Sequence, residues 1–328
     1  MIEASVVICA YTLDRWDQLG DAVASVRAQS RPAREILVVV DGNEDLRQRA
    51  ARAFEGVTVV ANAKAKGLSG GRMTGAELAT APVIAFLDDD AIADRRWLEE
   101  LLKPYSDTHV LGAGGYIEPL WSAAPPTWFP PEFNWVVGCT YAGMPVRDGH
   151  VRNLIGANMS VRADVLHHAG GFATKLGRRE GSAAVRGVAE SCEETEFCIR
   201  AARLHPGGVW AYCPQAQVRH VVSADRMTWR YFVRRCRMEG VAKAVLTGLT
   251  GSRDGLGSER QYVFTLLRAF LRDLVLSFGG QRGAMRRAAA IGAGLGITAL
   301  AYLRTRLAGM QLRGDAAGLS APPVAVAK

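Results

Sequence analysis

Pro82-Val83-Ile84-Ala85-Phe86-Leu87-Asp88-Asp89-Asp90 is the stretch on which the reading of this chain turns. An apolar run without polar alternation is the pattern of a strand covered on both faces, as in a parallel sheet. Three carboxylates at its carboxyl end place negative charge where such sheets open their ligand crevice. Hard divalent cations take oxygen ligands and share one or two carboxylates with nucleotide phosphates, so the triad predicts a site for Mg2+ or Mn2+. Helix capping is the plainer explanation, but Asp94, directly before the helical stretch that starts at Arg95, is the better N-cap.

Upstream of the triad, strands and helices alternate. Strands are predicted at Ser5–Ala10, Glu35–Val40 and Val57–Val60, and helices at Asp17–Gln29, Glu44–Phe54 and Gly71–Thr80. This rhythm predicts an α/β fold, a mostly parallel sheet with helices on both faces and right-handed crossovers. Downstream, Tyr116 to Tyr141 is dense in proline and aromatics, which excludes a regular helix or central strand. It reads either as a packed loop or as an acceptor lip. Order returns with Asn153–Val161, a short helix at Asp164–Leu166, a basic glycine-rich loop at 177–187, a helix from Glu190 to Leu204 and strands at Val209–Tyr212 and Gln217–Val221. Helices at 226–247, 260–279 and 284–307 close the chain.

At 328 residues and 49% apolar composition the chain can bury a full core. The six cysteines form no C-x-x-C pair, which argues against a zinc knuckle or disulfide framework and suits the cytosol, and no apolar leader precedes the first strand. The net charge of +8 is carried by the tail, where 17 basic residues face 5 acidic ones from Arg226 onward. No stacking platform or nucleic-acid module accompanies that charge, so a nucleic-acid partner is not expected.

Read in order, Val39-Val40-Asp41-Gly42, Gly67-Leu68-Ser69-Gly70-Gly71-Arg72, Phe86 to Asp90, Gly156-Ala157-Asn158-Met159-Ser160, Gly170-Gly171-Phe172 and Cys192-Glu193-Glu194-Thr195-Glu196 resemble the family 2 glycosyltransferases of GT-A fold, over about two thirds of the chain. The resemblance implies an inverting transfer from a nucleotide sugar, with the following roles. Asp88 and Asp90 hold the metal, Asp90 as the main ligand and Asp88 also toward the ribose or sugar. His220 is either a third ligand or a hydrogen-bonded rim residue. Ala10, Tyr11 and Asp41 surround the base at the strand ends, with the aspartate suited to a uracil edge. Gly67 and Arg72 receive phosphate at a helix N-terminus. Asn158 contacts the sugar or acceptor, as does Arg162. Of the acid pair, Glu194 is the base that takes the acceptor proton and Glu193 flanks it. A Q-x-x-R-W signature of processive synthases is absent after Glu194, which favours one sugar per encounter.

The expected organisation is a GT-A-like catalytic domain over 1–225 (donor half 1–115, acceptor half 116–225), a helical, membrane-associated region over 226–315 and a disordered tail over 316–328. Basic and apolar residues together in that helical region suit a peripheral contact with an anionic membrane surface at its cytoplasmic face. The residues 288–303 are short for a span. The pattern most resembles transferases acting on polyprenyl-phosphate-linked sugars, with a UDP sugar as donor and a glycan or lipid-linked sugar hydroxyl as acceptor. Two alternatives stay open at this point: a sugar-phosphate nucleotidyltransferase, whose G-x-G-[TS]-R loop is replaced here by Tyr11-Thr12-Leu13-Asp14, and a non-catalytic sugar- or membrane-binding protein of the same fold.

Overall fold

The computed structural model describes residues 2–173, 192–251 and 259–318. The first half is built as expected: β1 (Ala4–Ala10), α1 (Trp16–Arg27), β2 (Glu35–Val40), α2 (Glu44–Ala53), β3 (Thr58–Ala61), α3 (Leu68–Leu78) and β4 (Val83–Asp88). The apolar strands β1, β2 and β4 are buried almost throughout. With β5 at Ala91–Ala93, β6 at Val110–Trp121, β8 at Asn158–Arg162 and β9 at Val209–Val222, the strand order β3-β2-β1-β4-β8-β6-β9-β5 is parallel from β3 to β4, and β6 runs parallel to β9; β8 joins the two parts as an antiparallel strand. The chain goes from β1 outward to β2 and β3, then returns to β4 on the other side of β1. That reversal opens a crevice at the carboxyl ends of β1 and β4.

Four local features differ from the expectation. Helix α3 begins at Leu68, because Gly67 takes a backbone φ of 117° that only glycine adopts freely and its N–H is accepted by the Asp41 carboxylate. A short β5 (Ala91–Ala93) follows the triad at once, ahead of α4 (Trp97–Leu102). β6 (Val110–Trp121) continues through Pro119, since β8 covers it only at Gly112–Gly114 and a strand with one partner tolerates proline. The two late strand candidates are one strand, β9 (Val209–Val222), with an irregularity between Gly115 and Ile117 of its partner β6. β7 (Gly149–Val151) pairs with β9, and α5 (Ala163–His168) follows β8.

Helices α6 (Glu193–Leu204), α7 (Trp229–Thr250), α8 (Glu259–Phe278) and α9 (Ala284–Gly318) complete the fold. The predicted loop at 177–187 and the end of the tail, 319–328, lie outside the described residues. The helical region shares the core of the sheet domain: Phe232, Cys236, Leu266, Ala269 and Ile291 belong to the same buried cluster as Val6, Val38 and Val218. The aromatic segment after β6 is the seat of that contact, with Trp128 edge-on to both Trp229 and Phe232. Trp135 Nε1 donates to the Tyr262 hydroxyl at 2.7 Å, which donates to the Glu132 carbonyl at 2.8 Å. No disulfide joins any of the six cysteines.

Candidate active site

The carboxyl ends of three parallel strands meet in register. Cys9 lies opposite Asp88, Ala10 lies opposite Val40, and the Asp41 N–H donates to the Ala10 carbonyl at 2.8 Å. Beyond β1, the Arg15 guanidinium stands 5.5 Å from the centre of the Tyr11 ring. The Asp41 carboxylate accepts from Asn62 Nδ2 at 2.7 Å and from the Gly67 N–H at 2.8 Å, so it fixes the loop between β3 and α3 along this edge.

The turn after β4 brings in the other half of the chain. Ala91 of β5 pairs with His220 of β9, and the Val221 N–H donates to the Asp90 carbonyl at 2.8 Å. The pairing sets His220 Nε2 3.1 Å from Asp90 Oδ1. Arg15 and Arg226 reach the other Asp90 oxygen at 3.1 and 3.2 Å, and Arg15 also holds Asp89 at 2.8 Å. Burial pushes Asp90 up, but His220, Arg15 and Arg226 outweigh it and hold the carboxyl well below the usual range. Burial and the adjacent Asp90 charge push Asp89 up to about 7, against the pull of Arg15. Burial works to lower the His220 imidazole, yet the charge and hydrogen bond of Asp90 raise it to about 10. Ligand atoms of Asp88, Asp90 and His220 lie within 4.8 Å of one another, the one such group among the described residues. Two carboxylates and an imidazole suit Mn2+ or Mg2+. Coordination at His220 needs the neutral ring, so a proton and a metal compete for the same nitrogen.

Arg72 connects this group to the acid pair. Its side chain is 2% exposed; Nη1 lies 2.7 Å from Glu194 Oε1 and 3.9 Å from Glu193, while Nη2 lies 3.4 Å from Asp88. The two glutamates open α6, where helix N-terminal amides favour negative charge. Gly156, on the turn before β8, leaves room for the pair: a Cβ there would sit 2.0 Å from Glu194 Oε1 and 2.2 Å from Arg72 Nη2. Asp88, Arg72, Glu193, Glu194 and His220 line one cavity of about 350 Å³, walled on its other side by the aromatic segment and by α7 and α8.

Of the residues singled out in the sequence, these five and Asp90 are drawn together, and Ala10, Tyr11, Asp41 and Gly67 form the neighbouring strand-end rim. Asn158 is elsewhere. Its amide is buried in the sheet, accepting from Trp97 Nε1 at 2.8 Å and donating to the carbonyls of Tyr116 at 3.1 Å and Ala216 at 2.7 Å. The Arg162 guanidinium likewise donates to the Val110, Tyr105 and Asp107 carbonyls. Sequence reading missed Arg15 and Arg226, whose contacts with the triad span 74 and 136 residues and leave no local pattern.

The pattern known as Glycosyl transferase family 2 matches residues 5–170. Glucosyl-dolichyl phosphate glucuronosyltransferase of Haloferax volcanii is 35% identical over 249 residues, 75% of this chain and 77% of that protein. Among solved structures, the mannosyltransferase PcManGT of Pyrobaculum calidifontis, in complex with GDP-Man and Mn2+, aligns with a TM-score of 0.57 at 13% identity, over 91% of this chain and 86% of its own. GalNAc-T7 with UDP, GalNAc and Mn2+ aligns with a TM-score of 0.52 at 16% identity, over 73% of this chain and 47% of its own. These two likenesses establish the GT-A architecture. By the extent of the family match and the similarity to the archaeal enzyme, the chain belongs to glycosyl transferase family 2 and is a glycosyltransferase rather than a nucleotidyltransferase.

Proposed function

We propose that this protein moves one sugar per encounter from a nucleoside-diphosphate sugar, a UDP sugar on the evidence of Asp41, to a hydroxyl of a lipid-linked sugar, with inversion at the anomeric carbon. The observation that carries this reading is the Arg72 guanidinium, which holds Glu194 at 2.7 Å and Asp88 at 3.4 Å and so sets a carboxylate base and a metal-ligand aspartate on one cavity wall.

In this reading Asp88, Asp90 and His220 would hold Mg2+ or Mn2+, which would supply Lewis-acid neutralisation of the leaving diphosphate. Arg15 and Arg226 hold the second Asp90 oxygen and so fix the carboxylate beside His220. Arg72 holds Glu194 in place at 2.7 Å on the cavity wall, and Glu194 removes the proton from the attacking hydroxyl, with Glu193 beside it. Inversion follows from the family resemblance, by a single displacement in which Glu194 serves as the base. Ala10, Tyr11 and Asp41 seat the base; Gly67 and the start of α3 fix the loop beside it. Asn158 acts by shaping β8 and the Gly156 turn.

The acceptor proposal draws on the archaeal relative and on the helical region. Helix α8 presents Phe264, Leu267, Leu271, Val275 and Phe278 to solvent along one face, interleaved with Arg268 and Arg272. α9 contains the one stretch among the described residues, Ala284–Ala308, that is long and apolar enough to cross a membrane, and most of it is unburied. A peripheral seat on the cytoplasmic face of an anionic membrane uses both features. The test is release of nucleoside diphosphate from a donor panel, with and without Mn2+, by the full chain and by Glu194→Gln. The proposal expects metal-dependent release that falls at least about 100-fold in the variant while UDP still binds. Binding of sugars with no turnover of any donor would establish the non-catalytic alternative instead.

A further inference from the structure

The cavity holds a second charged group that the transfer step leaves unused. Arg152, Arg235 and Lys243 line it. Lys243 meets Glu239 at 3.2 Å and also Glu259, and Arg152 meets Glu259 at 3.2 Å. Arg152 and Lys243 are thus paired with these two carboxylates, whereas no ion pair engages Arg235 among the described residues. Arg235 Nε is enclosed by protein and has no hydrogen-bond partner among the described residues. A buried charged donor without an acceptor is costly, so its retention calls for an acceptor that a ligand brings. The planar guanidinium fork matches a phosphate or carboxylate group.

What adjoins this group narrows the ligand. Leu246 of α7, Leu266 of α8 and Leu295 of α9 line the same cavity, and they belong to the helices whose outer faces carry the exposed apolar side chains. An anion bound at Arg235 therefore shares its cavity with apolar side chains of the helical region. We propose that Arg235, with Lys243 and Arg152, forms a subsite for the phosphate of an isoprenyl-phosphate acceptor, and that the three leucines receive the first part of its hydrocarbon. This rests on the lipid-linked acceptor proposed above. It adds the place where the phosphate is read, on residues other than those assigned to the donor.

The experiment is calorimetric titration of the full chain with geranyl phosphate, geraniol and inorganic phosphate, alongside UDP with Mn2+. Geranyl phosphate is expected to bind about tenfold or more tightly than either the alcohol or the free ion. Arg235→Gln is expected to erase about tenfold of that affinity, the scale of one charged hydrogen bond, with UDP–Mn2+ binding and the melting temperature unchanged. Arg235→Lys, which keeps the charge and loses the Nε donor, is expected to fall between the two and decides the matter if the glutamine variant does not fold. Equal affinity of wild type and a folded variant for geranyl phosphate would overturn the subsite. Inorganic phosphate binding as tightly as geranyl phosphate would overturn the lipid assignment. Failure of UDP to bind with geranyl phosphate selectivity intact would count against the donor reading and leave this one standing.

Discussion

Gly156→Ala tests the bond between the two halves of the active site without replacing a charged group. The new Cβ would lie 2.0 Å from Glu194 Oε1, whereas carbon–oxygen contacts in folded proteins rarely fall below about 3.4 Å. The carboxylate must therefore retreat by about 1.4 Å, which stretches its contact with Arg72 from 2.7 Å to about 4.1 Å. At an effective dielectric of about 20 this separation weakens the attraction by about 2 kcal/mol, and crowding in a packed site adds about 1–2 kcal/mol. For a chain of 328 residues, a total of about 3–4 kcal/mol corresponds to a melting temperature lower by roughly 4–6 °C. Thermal and urea melts of wild type, Gly156→Ala, Glu194→Ala and the double variant measure the effect and its origin. In the Glu194→Ala background the same glycine change should cost less by at least about 1 kcal/mol, because the displaced carboxylate is gone. A single variant that melts with wild type, or an equal cost in both backgrounds, would refute the claim that Gly156 is glycine in order to seat the Arg72–Glu194 pair.

Mn2+ at 100 times its dissociation constant should stabilise the wild type by about 2.7 kcal/mol; Asp90→Asn and His220→Ala should each lose most of that shift in a thermal melt, and a full shift in both would move the ion elsewhere. Asp273, fully buried, is held by Arg287 at 2.8 and 3.2 Å and by Arg272 at 3.1 Å. Asp273→Ala should cost about 3 kcal/mol by stranding the Arg287 charge, and protease digestion should then open α8 and α9 before the sheet. Replacing Leu271 and Val275 together by glutamate should lower partition onto anionic vesicles at least about 100-fold, each exposed side chain contributing about 1.5–3 kcal/mol when buried in lipid, with no change in melting. Wild-type partition by the double variant would end the membrane contact at α8.

The parallel half of the sheet was legible because strands covered on both faces read as continuous apolar runs and each ended at a turn with its own chemistry. β4 and its acid triad are the plainest instance. The metal group was legible in its residues, since Asp88 and Asp90 sit at a strand end and His220 near another, but its assembly depended on β5, three residues too short to register as a strand. Arg72 was placed with the phosphates because it stands at a glycine-rich helix start. Its burial and its reach across 122 residues to Glu194 are properties of the packed sheet alone. Asn158 lies within a recognisable motif, yet sequence gave no means of seeing that Trp97, Tyr116 and Ala216 already use its amide. Motif membership identifies residues that matter to the site; only packing separates those that face it from those that hold it.

The helical region shows the same limit from the other side. Its composition was read as a membrane contact, and α8 shows why hydropathy alone does not separate that from a packed lobe. On its inner face Tyr262, Leu266, Ala269 and Asp273 join the core, the aromatic segment and Arg287. On its outer face Phe264, Leu267, Leu271, Val275 and Phe278 meet solvent. A helix apolar on both faces has no single amphipathic direction, so its pattern reads as buried or as membrane-bound according to which stripe is counted. The structure assigns the two stripes to different tasks. One closes the cavity that contains Glu194, and the other is left without a protein partner among the described residues. On the proposed reading the same twenty residues, Glu259–Phe278, form a wall of the acceptor pocket and a bilayer contact at once, which places the reacting hydroxyl at a fixed depth from the surface in which the rest of the acceptor is dissolved.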